Sequence, residues 1–545
     1  GIIQGTADNQ GALIFSGSYN TDSVLGTAAN SLASITVNAG QTLTLDQNAD
    51  VTTLNNNGIV NQTAGTLVVS TVNNTGSYSS FGGKSFDADA AFTLNNSGTV
   101  TGEIDHATAG ALTISQTAGS IAGNITSTAD AAHSLTLTGG SITGNITLNG
   151  TTANTFVLDG TTINGNVDLG DGATNSVTLT TGSLLGSLDI GANTSAVSIN
   201  TGGGDSVTVT TFDSLGAIVS MTGAGTFNST TFDNNSTVNQ TAGTANITTL
   251  NIGAGNAFNQ SVTGVLNTTT TNIGAGGSLT LSNQGTGIIQ GTADNQGALT
   301  FSGNYNTDAV LGTAANSLAS ITVDATRTLT LDQNADVTTF NNNGTVAQSA
   351  GTLTVGTFEN DGIVTQTGGT LAATTLNIGA GNTFTQSGTG VLNTTTTNIG
   401  AGGSLTLNNQ GTGLIQGTAD NQGALVFSGN YNTDAALGTV ANTLASVTVN
   451  GGSTLTLDQN ADVTLFNNNG TVNQTAGTLA VTTLNIGAGD IFTQSGTGVL
   501  NTTTTNIGAG GSLTLNNQGT GIIQGTADNQ GALIFSGSYN TDSVL

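Results

Sequence analysis

The chain predicts an all-β fold: an elongated parallel β-solenoid, with a right-handed β-helix favoured, coils of about 18–21 residues and three strands per coil. Three observations carry this. Residues 1–25 recur letter for letter as 521–545 and, slightly changed, from Gly287 and Gly413. The repeat units differ in length by 18 and 178 residues, and both excesses can be located as insertions between repeated segments. The segments between Gly and Asn punctuation alternate apolar with polar residues.

The repeats divide the chain into a unit 1–286 with a long insertion, a unit 287–412 with one extra coil, a minimal unit 413–520, and the opening of a further unit at 521–545. The second unit exceeds the third by 18 residues. The excess lies where NNNGTVAQSAGTL (341–353) is echoed by ENDGIVTQTGGTL (359–371), so that Gly344 maps onto Gly362 and Gln348 onto Gln366. A globular core rarely absorbs such an insertion while its surroundings stay the same. A solenoid absorbs it as one added coil that touches only its two neighbours. In the first unit VNQTAGT recurs at 60–66 and 238–244, which places the extra coils at about 67–244. Within that stretch Gly102, Gly123, Gly144, Gly165 and Gly186 are spaced by 21. Such coils are too short for helix-pair repeats.

Segments such as SITVNAGQTLTL (34–45), SLTLTG (134–139) and NTFVLDG (154–160) have the period-2 pattern of strands with one buried face. Val, Ile, Leu and Thr suit a pleated surface. Gly and Asn at NNNG (55–58, 341–344, 467–470) tolerate the positive φ of tight corners. Asn or Thr stacked at equivalent corners is expected to hydrogen-bond along the stack. No sustained 3.6-residue periodicity is present, so helix should be scarce. The absence of Pro suits strands flanked above and below. The absence of Cys rules out a disulfide framework and suits a chain exported unfolded. Open edge strands at both ends favour continuation into further coils, so that neighbouring copies or further coils of the same chain are the first expected partners.

Net charge is −28, with Lys84 and Arg327 the only basic side chains. This excludes direct nucleic-acid binding, which needs Lys and Arg to neutralise phosphate, and adsorption to anionic membrane. No 18-residue apolar run supports membrane insertion.

Candidate sites are few. Asp46/Asp50, Asp332/Asp336 and Asp458/Asp462 recur in LDQNAD and supply a pair of carboxylates per unit for a hard cation such as Ca²⁺. Asp8, Asp22 and their counterparts read as turn and loop residues. His106 stands beside Glu103 and Asp105, with no second histidine close in sequence to complete a dyad, and reads as a polar corner residue. Each repeat opens on a block that holds a Phe and a Tyr: Phe15/Tyr19, Phe301/Tyr305, Phe427/Tyr431 and Phe535/Tyr539. The Phe is expected to fill the core, and the Tyr is open between core and ligand contact. FGGKSFDADAAF (81–92) breaks the pattern and is the candidate for a projecting loop. Polysaccharide cleavage would need clustered carboxylates with basic partners, and the chain has two Glu (Glu103, Glu359) and two cations, so it reads as non-enzymatic.

The repeat opening GALIFSGSYN…LGTAANSLASITVNAG (11–40), followed by LTLDQNADVTTLNNNG (43–58), resembles passages of the large rickettsial-type outer-membrane surface antigens and, more broadly, passenger regions of bacterial autotransporters. The resemblance implies a β-solenoid exposed at a bacterial cell surface, secreted or anchored to the outer membrane, that acts as a structural or adhesive stalk, surface layer or filament with host or cell-surface ligands. The alternatives are a Ca²⁺-dependent matrix-forming or ligand-binding module and, behind it, a polysaccharide-degrading β-helix enzyme.

Overall fold

A computed structural model describes residues 1–87, 90–107, 109–171, 174–192, 196–539 and 544–545. Every regular element among them is a β-strand. Two compact units, Gly1–Leu279 and Thr280–Leu545, are distinguished, and each is a stack of parallel strands.

In the first unit Ala49–Asn56 pairs in parallel with Leu67–Asn74, with Ala49 opposite Leu67, a coil of 18 residues. Further on, Ile125 lies opposite Ile146 and Ile142 opposite Ile163, coils of 21. In the second unit Val346 sits opposite Val364 and Leu371 opposite Leu392. Both coil lengths expected from the repeats are therefore present. A 21-residue coil such as 134–154 shows three short strands, Ser134–Leu137, Ser141–Thr143 and Ile146–Leu148. Elsewhere two of the three merge into one bent strand. In Thr478–Ile486 strict in–out alternation holds on either side of Thr482 and Thr483, two neighbours that both face outward and mark the bend.

Alternation puts one aliphatic or aromatic column inside each coil. Phe340 meets Phe358 edge to face, with ring centroids 4.8 Å apart, and Leu376 follows in the same column; all three are buried. Burying one such side chain stabilises by roughly 1.5–3 kcal/mol, repeated coil after coil. The aromatics of the two internal repeat openings join this column, Phe301 and Phe427 being buried with their tyrosine rings 4.9 Å away. At the first and last openings Tyr19 and Phe535 are exposed, the latter against the expectation that each Phe fills the core. Tyr305 and Tyr431 are buried too, and the Tyr305 hydroxyl donates to the Gly285 carbonyl at 3.2 Å. Burial raises both phenols far above their usual range.

The evenly spaced glycines are required by close stacking. A Cβ on Gly144 would lie 2.4 Å from the Gly123 carbonyl oxygen, and one on Gly165 would lie 2.1 Å from that of Gly144. Gly144 also has φ +143°, outside the range of L side chains. The inserted coil behaves likewise: a Cβ on Gly362 would meet the Gly344 oxygen at 2.0 Å.

The stretch 81–92 is mostly strand. Ser77–Asp87 pairs with Thr99–His106, and its advance from Ser79 to Lys84 faces only Thr101 to Glu103, so the strand bulges there. Phe86 and Phe92 are buried, and Phe86 stacks on Tyr78 at 4.5 Å. The expected projecting loop falls in part on residues 88 and 89, outside the described residues.

Candidate functional site: polar ladders and a groove

Because successive coils repeat in register, a polar residue at one position meets its counterpart one coil away. Two kinds of ladder result. Inside the first unit the Asn56 amide donates to Asn74 (2.7 Å), Asn74 to Asn96 (2.8 Å) and Asn96 to Gln116 (2.6 Å), all buried. In the second unit Asn342 donates to Asn360 (2.9 Å) and Gln366 to Gln348 (3.1 Å). The pairing satisfies the buried amide nitrogens of these ladders, while the Gln366 Oε1 is left without a hydrogen-bond partner among the described residues. On the outer surface Asn377 donates to the Glu359 carboxylate (2.8 Å), Asn398 to Asn377 (2.8 Å) and Gln416 to Asn398 (3.0 Å). This outer ladder starts on a carboxylate, which can only accept.

The LDQNAD aspartates do different jobs. Asp332 and Asp458 each accept from a buried threonine of the neighbouring coil, Thr307 and Thr433, at 2.9 Å, while their own backbone N–H groups donate back to the same hydroxyls. Asp46 and Thr21 repeat the arrangement at 3.2 Å. Asp50, Asp336 and Asp462 belong to the next strand in each repeat. Asp336 is held above the usual carboxylate range by partial burial and, secondarily, by the Asp294 charge; burial alone raises Asp462. The structure thus brings Asp336 near Asp294 of the repeat opening, a partner that spacing along the chain did not suggest. Asp294 and Asp420 are themselves tied to Ser317 and Thr443 by short hydrogen bonds. Among the described residues no three His, Cys, Asp or Glu side chains gather to hold a metal.

His106 is not a corner residue facing its neighbouring carboxylates. Alternation turns Glu103 and Asp105 outward and His106 inward, where it is buried. Its Nδ1 lies 3.0 Å from the Ser127 hydroxyl, which lies 3.1 Å from His133 Nε2. His106 Nε2 faces the Ala90 carbonyl (2.9 Å), and the Leu112 N–H donates to His133 Nδ1 (2.9 Å). These end partners put a proton on His106 Nε2, which faces the Ala90 carbonyl, and make His133 Nδ1 an acceptor with its proton on Nε2. The expectation that no second histidine could reach His106 is corrected, because coil stacking closes a separation of 27 residues. The group is sealed in the core and fully hydrogen-bonded.

A groove of about 470 Å³ lies on the second unit. Its strands are in register, so its walls are columns. One column is Asp462, Ala480, Asn501 and Thr520; the facing one is Thr464, Thr482 and Thr503; Val463, Val481 and Thr502 form the floor. Asp420 and Thr443 border it. A second groove of about 350 Å³ repeats the plan one repeat earlier, with Thr354, Ala372, Asn393 and Thr412 in one column and Thr374 and Thr395 in the other. The bend at the paired outward threonines creates the concavity, and Ala372 and Ala480 leave room in it. The TTTT segments 394–397 and 502–505 supply part of each groove, but their first threonine is taken up in the wall: Thr394 and Thr502 donate to the carbonyls of Thr412 and Thr520.

Among the described residues no helix is long and apolar enough to cross a membrane. No protein-family model, curated protein or solved structure matches the chain.

Proposed function

We propose that this chain is a non-enzymatic structural and adhesive repeat protein of a bacterial surface, part of a stalk, layer or filament outside the cell. The observation that carries the reading is the recurrence of an outward-facing groove at the repeat period: the grooves at Ala372/Asn393 and Ala480/Asn501 share the threonines at 374/482 and 395/503, while Thr354 stands where the larger groove has Asp462. The extra coil of the 287–412 repeat supplies this Thr354 and leaves the two threonine rows in place. Selection for reach and for many copies of one surface produces that pattern, whereas a single catalytic centre does not require it. Surface labelling of intact cells with an antibody against residues 413–520, with and without external protease, tests the reading. Protease-sensitive labelling supports it, and an intact intracellular pool overturns it.

A second reading, a cation-bridged matrix, draws on the crowding of Asp336 by Asp294. Divalent cations at such pairs would join acidic chains that otherwise repel. Assembly and melting temperature that do not respond to a chelator overturn it.

A further inference from the structure

We propose that each of the two grooves in the second unit binds a short stretch of an extended, neutral polysaccharide. The proposal rests on the adhesive reading and names its ligand class. The walls of both grooves offer hydroxyl and amide groups in rows, and the larger groove adds the carboxylates of Asp420 and Asp462. Among the described residues, the hydroxyls of Thr482 and Thr503, and their counterparts Thr374 and Thr395, take no partner from the protein, whereas many other polar side chains of the same stack are consumed by ladders. A ligand for such rows must offer donors and acceptors together, as vicinal hydroxyls do, and Asp420 and Asp462 can each accept from a pair of them.

Charge narrows the choice. A chain of net charge −28, with two carboxylates on the larger groove, disfavours anionic polymers such as uronans. Spacing narrows it further. Coils repeat every ~4.8 Å along the groove, close to the advance of one pyranose ring in an extended chain, while an extended peptide advances ~3.3 Å per residue and falls out of step. The groove strands also spend their backbone N–H and C=O groups on the parallel ladder, so a peptide could not add as a further strand.

The first unit supplies an internal contrast. At the position of Ala372 and Ala480 it carries Asn246, whose amide donates to Asn228 (3.1 Å) and whose oxygen accepts from Asn267 (3.0 Å). The room left by alanine is there filled by a ladder.

The test uses the full chain and calorimetric titration with soluble neutral glucans and mannans, a uronic-acid polymer and a threonine-rich peptide. At least one neutral polysaccharide is expected to bind, with the uronan at least tenfold weaker. The double variant Ala372→Trp/Ala480→Trp, which fills both grooves, is expected to lose binding at least tenfold. Should it misfold, Ala372→Asn/Ala480→Asn introduces the residue the first unit already accommodates and is expected to weaken binding several-fold with the β-sheet spectrum unchanged. Absence of binding to every neutral polysaccharide, unchanged affinity in the variants, or preference for the peptide or the uronan overturns the proposal. Surface labelling is scored separately, so a surface protein that binds no glycan is distinguished from a protein that is not at the surface.

Discussion

At the scale of single residues, the fold depends on what happens when a side chain meets its own counterpart one coil away. Gly144 shows the steric side. Gly144→Ala places a methyl group against the Gly123 carbonyl at a φ of +143°, and local strain of this kind costs about 1–3 kcal/mol. Hydrogen exchange of the flanking strands is expected to accelerate accordingly; unchanged protection would refute close stacking. Asn360 shows the polar side. Asn360→Ala leaves the Asn342 amide and the Thr383 carbonyl each a partner short inside the stack, a loss of about 1–3 kcal/mol. Asn409→Ala, which removes bonds nearer the surface, should cost less in the same denaturation experiment. His133 adds pH dependence. Burial, with the nearby His106 ring, holds it below the ordinary histidine value of 6.5. The charged groups of the elements around it do not offset this: Glu103, Asp105 and Asp130 turn to solvent, and Asp89 lies outside the described residues. The unfolded chain therefore takes up a proton that the folded one refuses, so this contribution to stability is complete above 6.5 and is lost as pH falls below it. Exchange protection of strands Leu112–Gln116 and Ile125–Ser127 should drop between about pH 7.5 and 5.5, and His133→Asn should flatten that drop.

At the scale of elements, the coil is the unit of addition and removal. Deleting residues 345–362 joins Gly344 to Ile363, and Thr345 and Ile363 are already register partners. The shortened protein is expected to keep its β-sheet spectrum and to melt within a few degrees of the parent. Deleting only 345–353 removes half a coil, so that the chain re-enters the stack on the wrong face at the junction, and is expected to collapse the neighbouring coils. Equal tolerance of both deletions would sink the coil assignment. The 18-residue step was legible because NNNG and its echo punctuate both coils. The bulge after Ser79 was not, because FGGKSFDADAAF has no copy elsewhere against which its extra residues could be counted.

At the scale of the whole molecule, charge is the dominant long-range term. With 30 acidic and two basic side chains, repulsion within each unit opposes folding most at low ionic strength. The Debye length shrinks from ~30 Å at ~0.01 M to ~8 Å at ~0.15 M, so the melting temperature should rise by a few degrees over that range of sodium chloride. A fall would mean that attractive ion pairs outweigh the repulsion.

Periodicity along the chain by itself determined the strand class, the coil lengths, the mapping of Gly344 onto Gly362 and the burial of Phe301 and Phe427. These follow from a repeat in which position i meets position i+18 or i+21, a relation readable from the letters alone. Only the tertiary structure decided which residues far apart along the chain become neighbours outside the repeat register. It brought Asp336 within reach of the Asp294 charge, joined His106 to His133 through Ser127, and opened a groove where Ala480 stands between Asp462 and Asn501. Such neighbours are chosen by where each strand bends and by how residues outside the repeat fall on its three faces, and spacing along the chain does not record either.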